Sequence, residues 1–146
     1  MHIVAALFVD NFAMRQVEGP STRIDLTGVF FSQVAPQPVP CTMSPHLVVL
    51  VYCPTDESGD GILQVVFQPV GVDPDTTPPM AQNVSPFRVE PGKFTYRLVR
   101  AELAVERYGQ IIAHCRVGQG AWMAVDRKST RLNSSHVSES RMPSSA

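Results

Sequence analysis

The residues from His46 to Val70 read HLVVLVYCPTDESGDGILQVVFQPV. Two runs rich in β-branched and aromatic residues flank a polar loop that ends in Asp60-Gly61, which is the pattern of a β-hairpin. The first run is apolar on both faces, as expected of an inner strand. In the second run apolar residues alternate with glutamines, which predicts one buried face and one partly wet face. The stretch therefore predicts a β-sheet protein with this hairpin near its centre.

The proline content favours short strands joined by loops. The chain has 13 prolines among 146 residues, and the usual share of proline is about 5%. Proline interrupts helices and inner strands, so it is tolerated best at turns and sheet edges. A chain of this length is expected to form one domain. We predict an all-β fold, namely an antiparallel, immunoglobulin-like β-sandwich of about seven short strands.

Apolar periodicity and turn residues place the remaining elements on either side of the hairpin. Before it, we predict a strand at Ile3–Val9, a turn at Asp10-Asn11, an ambiguous stretch at Phe12–Val17 compatible with one helical turn, a turn at Glu18–Ser21, and a strand at Arg23–Ser32 with a bulge at Gly28. After it, we predict a long, irregular and mobile loop at Asp73–Gly92 with a short edge strand at Phe87–Val89, a strand at Gln110–Val117, a tight turn at Gly118–Gly120, and a last strand begun by Ala121–Val125.

The segment Phe94–Glu106 is compatible with two structures. Its apolar residues alternate as in a strand, but the phase slips at Leu98-Val99, which predicts a bulge or a strand break. A helix over Ala101–Tyr108 is the alternative. It is disfavoured because Glu102 and Glu106 would repel each other at i and i+4.

Charge and cysteine content exclude several classes of protein. The net charge of −1 gives no reason to expect a nucleic acid or an anionic membrane as a partner. The three cysteines form no C-x-x-C pair and are too few for a disulfide framework. The apolar run Ile3–Val9 is too short and wrongly flanked for a signal peptide or a membrane span. We therefore expect a cytoplasmic protein.

The residues from 126 to 146 differ in kind from the rest. They are rich in serine and contain no aromatic residue, which is typical of a disordered tail. DRKSTRLNSSH at 126–136 and SRMPSSA at 140–146 also resemble, in frame, a translated sequencing adapter interrupted by a short index. We therefore expect a natural domain at 1–125, truncated after Val125, and a non-native disordered tail at 126–146.

Three segments of the natural part resemble an uncharacterised bacterial family of small β-sandwich proteins. They are MHIVAALFVD at 1–10, GPSTRI at 19–24 and YGQII at 108–112. The resemblance would span most of 1–125. It implies a bacterial β-sandwich and no catalytic residue, because the family has no established activity.

The loop of the predicted hairpin contains the start of a calcium-binding motif. Asp56, Ser58 and Asp60 occupy the positions of D-x-S-x-D-G, but position twelve, where such a loop needs a bidentate glutamate, is Phe67. Short matches of this kind commonly arise by chance. We therefore expect a solvated loop, and no metal or cofactor.

Other candidate residues also favour a structural interpretation. His114 and Cys115 could suggest a Cys/His nucleophile, but adjacent strand residues point to opposite faces, so we expect a packed cysteine and a surface histidine. Ser21-Thr22 and Asp10 could join a catalytic triad only through tertiary contacts, and the sequence has no G-x-S-x-G motif. Tyr96, Tyr108 and Trp122 are expected in the core or at a sandwich end rather than in a binding platform. No glycine-rich phosphate-binding motif is present.

Two classes of function remain. The favoured one is a non-enzymatic β-sandwich module that binds another protein through an edge strand or through the loop Asp73–Gly92. The alternative is a small hydrolase-like enzyme with a site built from loops at one end of the sandwich. Clustered titratable groups in a pocket would favour the enzyme, whereas a flat apolar patch or a bare edge would favour the module.

Overall fold

The computed structural model describes residues 1–16, 22–30, 38, 40–106, 110–125 and 130–131. These residues form eleven strands and no helix, and every strand pairing is antiparallel. The predicted all-β antiparallel fold is thus confirmed. The strands are β1 (His2–Gln16), β2 (Thr22–Phe30), β3 (Cys41–Met43), β4 (His46–Tyr52), β5 (Asp60–Pro69), β6 (Ala81–Arg88), β7 (Phe94–Arg100), β8 (Leu103–Val105), β9 (Gln110–Val117), β10 (Met123–Ala124) and β11 (Thr130–Arg131).

Two main sheets pack on one shared core. The first has the order β2-β1-β4-β7, and the second has the order β10-β9-β5-β6 with β11 also paired to β9, while β3 and β8 form a separate pair. One hydrophobic cluster contains alternate residues of both sheets, including Leu47, Val49 and Val51 from β4 and Leu63 and Val65 from β5. Alternation therefore turns one face of each sheet inward, as expected for strands with a period of two.

The stretch that predicted a hairpin instead connects the two sheets. β4 lies between β1 and β7 in the first sheet, and β5 lies between β9 and β6 in the second. Both runs are inner strands, so their central position is confirmed, but the hairpin is wrong. Stacked sheets lie about 10 Å apart, and the loop between Tyr52 and Asp60 is long enough to cross that distance.

β1 is a single long strand with two different partners. It pairs with β4 from His2 to Val9 and with β2 from Phe8 to Gln16. The predicted turn at Asp10-Asn11 and the predicted helical turn beginning at Phe12 are therefore wrong, because this part of the strand keeps its backbone bonds to β2. The predicted turn at Glu18–Ser21 lies outside the described residues.

Beyond the end of β4, β1 and β2 form a two-stranded arm, comprising residues 10–16 and 22–28. The Phe12 ring contacts the Tyr96 ring, with 5.8 Å between centroids, and the Tyr96 hydroxyl contacts the Met14 sulfur. Tyr96 pairs with Leu50, four positions along β4 from the last β1 contact at His46. The arm must therefore fold back over the outer face of the four-stranded sheet to make these contacts.

Gly28 lies at the base of this arm. Its φ of +68° is a left-handed conformation that favours glycine. Val9↔Val29 and Asn11↔Thr27 keep the same register on either side of it, so the predicted bulge at Gly28 is wrong. The register of β1 instead shifts between Ile3 and Ala5.

The predicted irregular loop Asp73–Gly92 contains an eight-residue strand. Residues Ala81–Arg88 form β6, which pairs with β5 along its whole length and lies at the edge of its sheet. The predicted loop is therefore wrong over Ala81–Pro86, and the predicted edge strand at Phe87–Val89 is confirmed at Phe87-Arg88. Pro86 does not break the strand, because proline is tolerated where its missing N–H would point away from the sheet. The expected mobility of this segment stays a prediction.

The remaining boundaries agree closely with the sequence analysis. β7 continues without a phase slip through Val99, and the strand break falls at Ala101-Glu102 rather than at Leu98-Val99. The disfavoured helix is absent at residues 101–106, where the chain is described. β9 has the predicted bounds, and a turn follows it at Gly118.

Two residues of the predicted tail, Thr130 and Arg131, pair with β9 as β11. Residues 126–129 and 132–146 lie outside the described part of the chain, so the predicted disorder of that tail stays a prediction. Within the described residues, no helix has both the length and the apolar character needed to cross a membrane.

Candidate interaction surface

The edge strand β6 and its neighbour β5 carry an exposed apolar patch, hereafter the β6 patch, formed by Ile62, Val84 and Pro86. Ile62 pairs directly with Pro86, and Val84 is one pair further along the same outer face. Ile62 is 50% exposed and Val84 is 52% exposed, although both lie within regular strands. The patch is flat because it belongs to a sheet surface.

The backbone of β6 has groups that point away from the sheet. The N–H of Val89 donates to the carbonyl of Gly59 at 2.9 Å, which makes this a hydrogen-bonded pair. Bonded and non-bonded pairs alternate along antiparallel strands. By this alternation, the N–H and C=O groups of Gln82 and Val84 point outward. No described strand lies beyond them.

The other end of this edge is occupied by side chains. Arg97 of β7 donates to the carbonyl of Pro86 at 3.2 Å, and its guanidinium carbon lies 5.6 Å from the centroid of the Phe87 ring. Arg88 makes a two-point ion pair with Asp60, at 2.7 and 3.2 Å. These contacts leave the Gln82–Val84 part as the open part of the edge.

The calcium-motif residues are positioned for structural contacts. Both carboxylate oxygens of Asp60 accept hydrogen bonds from Arg88, which lowers the pKa of Asp60. The Ser58 hydroxyl accepts from the N–H of Asp60 at 3.3 Å. In the described part of the chain, the Asp56 side chain forms no hydrogen bond or ion pair with Ser58 or Asp60. Within the described residues, no group of three or more histidine, cysteine or acidic side chains could hold a metal ion.

His114 and Cys115 point to opposite faces, as predicted. Cys115 is fully buried in the shared core, and burial raises its pKa to about 12. His114 lies on the outer face, but it is half-buried rather than on the surface as predicted. Its Nδ1 is buried and has no hydrogen-bond partner among the described residues.

Tyr96 and Trp122 lie on outer sheet faces instead of in the predicted core or sandwich-end positions. Tyr96 is half-buried beneath the arm. The guanidinium of Arg116 stacks over the Trp122 ring at 4.2 Å from its centroid, and the indole N–H donates to Asp75 at 2.8 Å. Tyr96 therefore contacts the arm, whereas Trp122 contacts the loop that follows β5. Tyr108 lies outside the described residues.

The predicted triad candidates do not come together. Asp10 is level with Gly28 at the base of the arm, whereas Thr22 pairs with Gln16 at its far end. Six residues along a strand span about 20 Å. Ser21 lies outside the described residues.

Asp10 instead shares a small cleft with a serine and a histidine that were not triad candidates. Asp10, Ser44 and His46 line a cavity of about 150 Å³ where the arm leaves the sandwich. Among the described residues, no hydrogen bond joins any two of these three side chains. The cleft therefore has the residue types of a hydrolytic site without its bonded geometry.

The β6 patch could not be found by reading the sequence locally. Its members come from segments more than 20 residues apart and become neighbours only through the β5–β6 register. The available signal was Pro86, because a proline within an alternating run indicates an edge strand. Comparisons of the chain with protein-family models, curated proteins and solved structures give no match.

Proposed function

We propose that this chain is a non-enzymatic, cytoplasmic β-sandwich protein that binds another protein through the open edge of β6. The observation that carries the proposal is an exposed apolar patch beside outward-pointing backbone groups on one edge strand. An extended peptide could add to the sheet there by forming main-chain hydrogen bonds. The sequence analysis offered two binding elements, an edge strand and the loop Asp73–Gly92. We favour the edge strand, because part of that segment forms β6.

The chemistry of the edge defines the partner segment. Gln82 and Val84 offer the main-chain donors and acceptors, and the β6 patch lies on the outer face of the same strands. A strand beside β6 would present alternate side chains to that face. The partner segment should therefore be extended, with an apolar residue at every second position and no proline at the bonded positions.

Replacing Val84 with proline tests this binding mode directly. The substitution removes an N–H that points away from β5, so the ladder with β5 keeps its bonds. Eight-residue extended peptides are first selected from a display library for binding to the full chain. We expect these peptides to lose affinity for the Val84→Pro variant, as measured by isothermal titration calorimetry. Val84→Thr is the matched control, because it retains the N–H and the strand preference and should bind with similar affinity.

The location of the selected peptides decides the outcome. Amide resonances of Gln82, Val84 and their β5 partners should shift on peptide addition. Peptides that bind Val84→Pro as tightly as the original chain, or that shift only residues away from β6, would contradict the proposal.

A hydrolase-like enzyme is the second candidate, supported by the cleft of Asp10, Ser44 and His46. A serine nucleophile needs a base within hydrogen-bonding reach, although free enzymes can show looser geometry. Hydrolysis of p-nitrophenyl esters by the purified chain would favour this candidate if Ser44→Ala abolished it. Thr27→Ala, an exposed hydroxyl on β2, is the control and should leave the rate unchanged.

The finer fold assignment and the source also belong to the proposal. We propose an immunoglobulin-like sandwich, supported by the orders β1-β4-β7 and β10-β9-β5-β6, which match strands A-B-E and G-F-C-C′ of that architecture. A bacterial origin rests on the resemblance of three sequence segments to a bacterial family. A match of residues 1–125 to proteins encoded in bacterial genomes would test that origin.

A further inference from the structure

The two faces of the arm differ in polarity. The apolar face consists of two neighbouring cross-strand pairs, Phe12↔Leu26 and Met14↔Ile24. The opposite face is polar and carries an ion pair between Arg15 and Asp25, with 3.0 Å between Nε and Oδ2. A two-stranded ribbon is at best marginally stable by itself in water. The arm therefore needs another apolar surface on which to pack its apolar face.

In a single chain the arm covers part of the outer face of its own four-stranded sheet. Phe12 and Met14 both contact Tyr96 there. Val48 points to the same outer face and is only 1% exposed, as expected beneath the arm. The cover is incomplete, because Met14 is 57% exposed and Phe94, two positions from Tyr96 on that face, is 63% exposed. Apolar surface of both the arm and the sheet thus remains in water around their contact.

Side chains, and not the backbone, attach the arm to this face. Among the described residues, β1 pairs with β4 only as far as Val9, and β2 pairs with β1 alone. The backbone hydrogen bonds of the described part of the arm therefore lie within the arm. The pairs Val9↔Val29 and Asn11↔Thr27 keep one register through its base. The two strands can thus swing together without breaking a ladder.

The bend at the base of the arm is crowded. Gly28 has a φ of +68°, and a Cβ added to it would lie 2.2 Å from Oδ2 of Asp10. The two strands approach so closely there that only glycine fits. Short, crowded hinges favour the exchange of an element between copies of a chain, because the hinge straightens in the exchanged form.

We propose that the arm exchanges between two copies of this chain, so that each arm covers the outer face of the other copy's four-stranded sheet. Phe12 and Met14 of one copy then contact Tyr96 of the second copy. A second copy is the favoured occupant because its arm already fits this face, and the same contacts form in both arrangements. The two copies also lie side by side, which buries apolar surface left exposed around Met14 and Phe94 in the single chain. The exchange does not use the β6 edge and is independent of the proposed peptide binding.

The hinge distinguishes arm exchange from other modes of dimerisation. Light scattering after size-exclusion chromatography should show the mass rising from 16.0 kDa towards twice that value between about 1 μM and about 1 mM. Gly28→Ala should raise the dimer association constant at least about tenfold, because the added Cβ penalises the bent arm of the monomer and not the straight arm of the dimer. Gly71→Ala is the matched control, since its φ is also positive but its Cβ would meet nothing within 4 Å. It should leave the association constant unchanged.

Isotope-filtered NMR shows which copy each arm contacts. A mixture of ¹³C-labelled and unlabelled chains, held at the concentration of the dimer, should give nuclear Overhauser effects between the Met14 methyl group of one chain and the Tyr96 ring of another. Val84→Pro, which alters the β6 edge, is the control for edge-to-edge pairing and should retain both the dimer and this effect. An original chain that stays monomeric up to about 1 mM would overturn the proposal. So would an association constant unchanged in Gly28→Ala, or a dimer in which Met14 contacts Tyr96 only within one chain.

Discussion

Cys115 and His114 are adjacent in sequence but have opposite surroundings. Strand alternation alone predicted that one would face the core and the other would not. It did not predict that the histidine would be half-buried, because residues 70–72, which follow β5, lie beside it. The sequence thus predicts which face of the sheet each side chain points to, whereas tertiary contacts determine how far that side chain is buried.

We predict that Cys115 is chemically inert in the folded chain. Burial raises its pKa to about 12, and the reactive species is the thiolate. Iodoacetamide at mildly alkaline pH should modify the half-buried Cys41 before Cys115, as measured by peptide mass spectrometry. Both should react similarly in denaturant. Modification of Cys115 at the same native rate as Cys41 would contradict its burial.

His114 should make stability depend on pH. Its folded pKa lies below the unfolded value of about 6.5, so the unfolded chain binds the proton more tightly. Its contribution is therefore fully present above about pH 6.5 and is lost as the pH falls through the lowered folded pKa. Urea unfolding should show a larger loss between about pH 8 and about pH 5 for the original chain than for His114→Gln.

At the scale of elements, the arm depends on the bend at Gly28. A Cβ added there would collide with the Asp10 side chain, and the φ of +68° would strain any other residue. Gly71 provides a matched comparison, because its φ is +91° but a Cβ there would meet nothing within 4 Å.

Gly28→Ala should therefore destabilise the chain more than Gly71→Ala. Backbone strain alone costs about 1–3 kcal/mol, which both variants share, and only Gly28→Ala adds the collision. Urea denaturation midpoints measure the difference. The double variant Gly28→Ala/Asp10→Ala should regain the stability that the collision costs. Equal midpoints for Gly28→Ala and Gly71→Ala would show that the Asp10 side chain does not destabilise Gly28→Ala.

Two elements show where sequence reasoning succeeded and where it failed. β9 was predicted with correct bounds because its apolar pattern is regular and uninterrupted. Of β6 only the end at Phe87-Arg88 was predicted, because five of its eight positions are polar or proline and obscure its alternation. The residue types of Asp10-Asn11 are typical of a turn, but pairing with β2 keeps β1 continuous there. The β6 patch depends on the pairing of β5 with β6. The sequence therefore shows that its residues are apolar, but it does not show that they are neighbours.

At the scale of the whole molecule, every described residue of the shared core lies within 1–125. Val125 is its last buried member, at 2% exposure. Only Thr130 and Arg131 beyond it are described, as a two-residue strand. The core cluster therefore has no described member in the predicted tail.

Deletion of residues 129–146 should change the free energy of unfolding by no more than about 0.5 kcal/mol, the usual range for surface changes. The deleted residues offer too little apolar area to offset the entropy of ordering them. Equilibrium denaturation of the full and shortened chains measures this. A shortened chain that no longer unfolds cooperatively would show that the tail belongs to the fold.

The double pairing of β1 also has a kinetic consequence. Val9 lies 20 residues before its β2 partner Val29 and 37 residues before its β4 partner His46. Closing the longer loop costs more entropy, and β-hairpins form within about 1–10 μs. We expect the β1–β2 pair to form first and then to dock as a unit onto β4. Pulse-labelled hydrogen exchange during refolding should therefore protect Ala13 and Asp25 amides before those of Val48 and Leu50, which face β1.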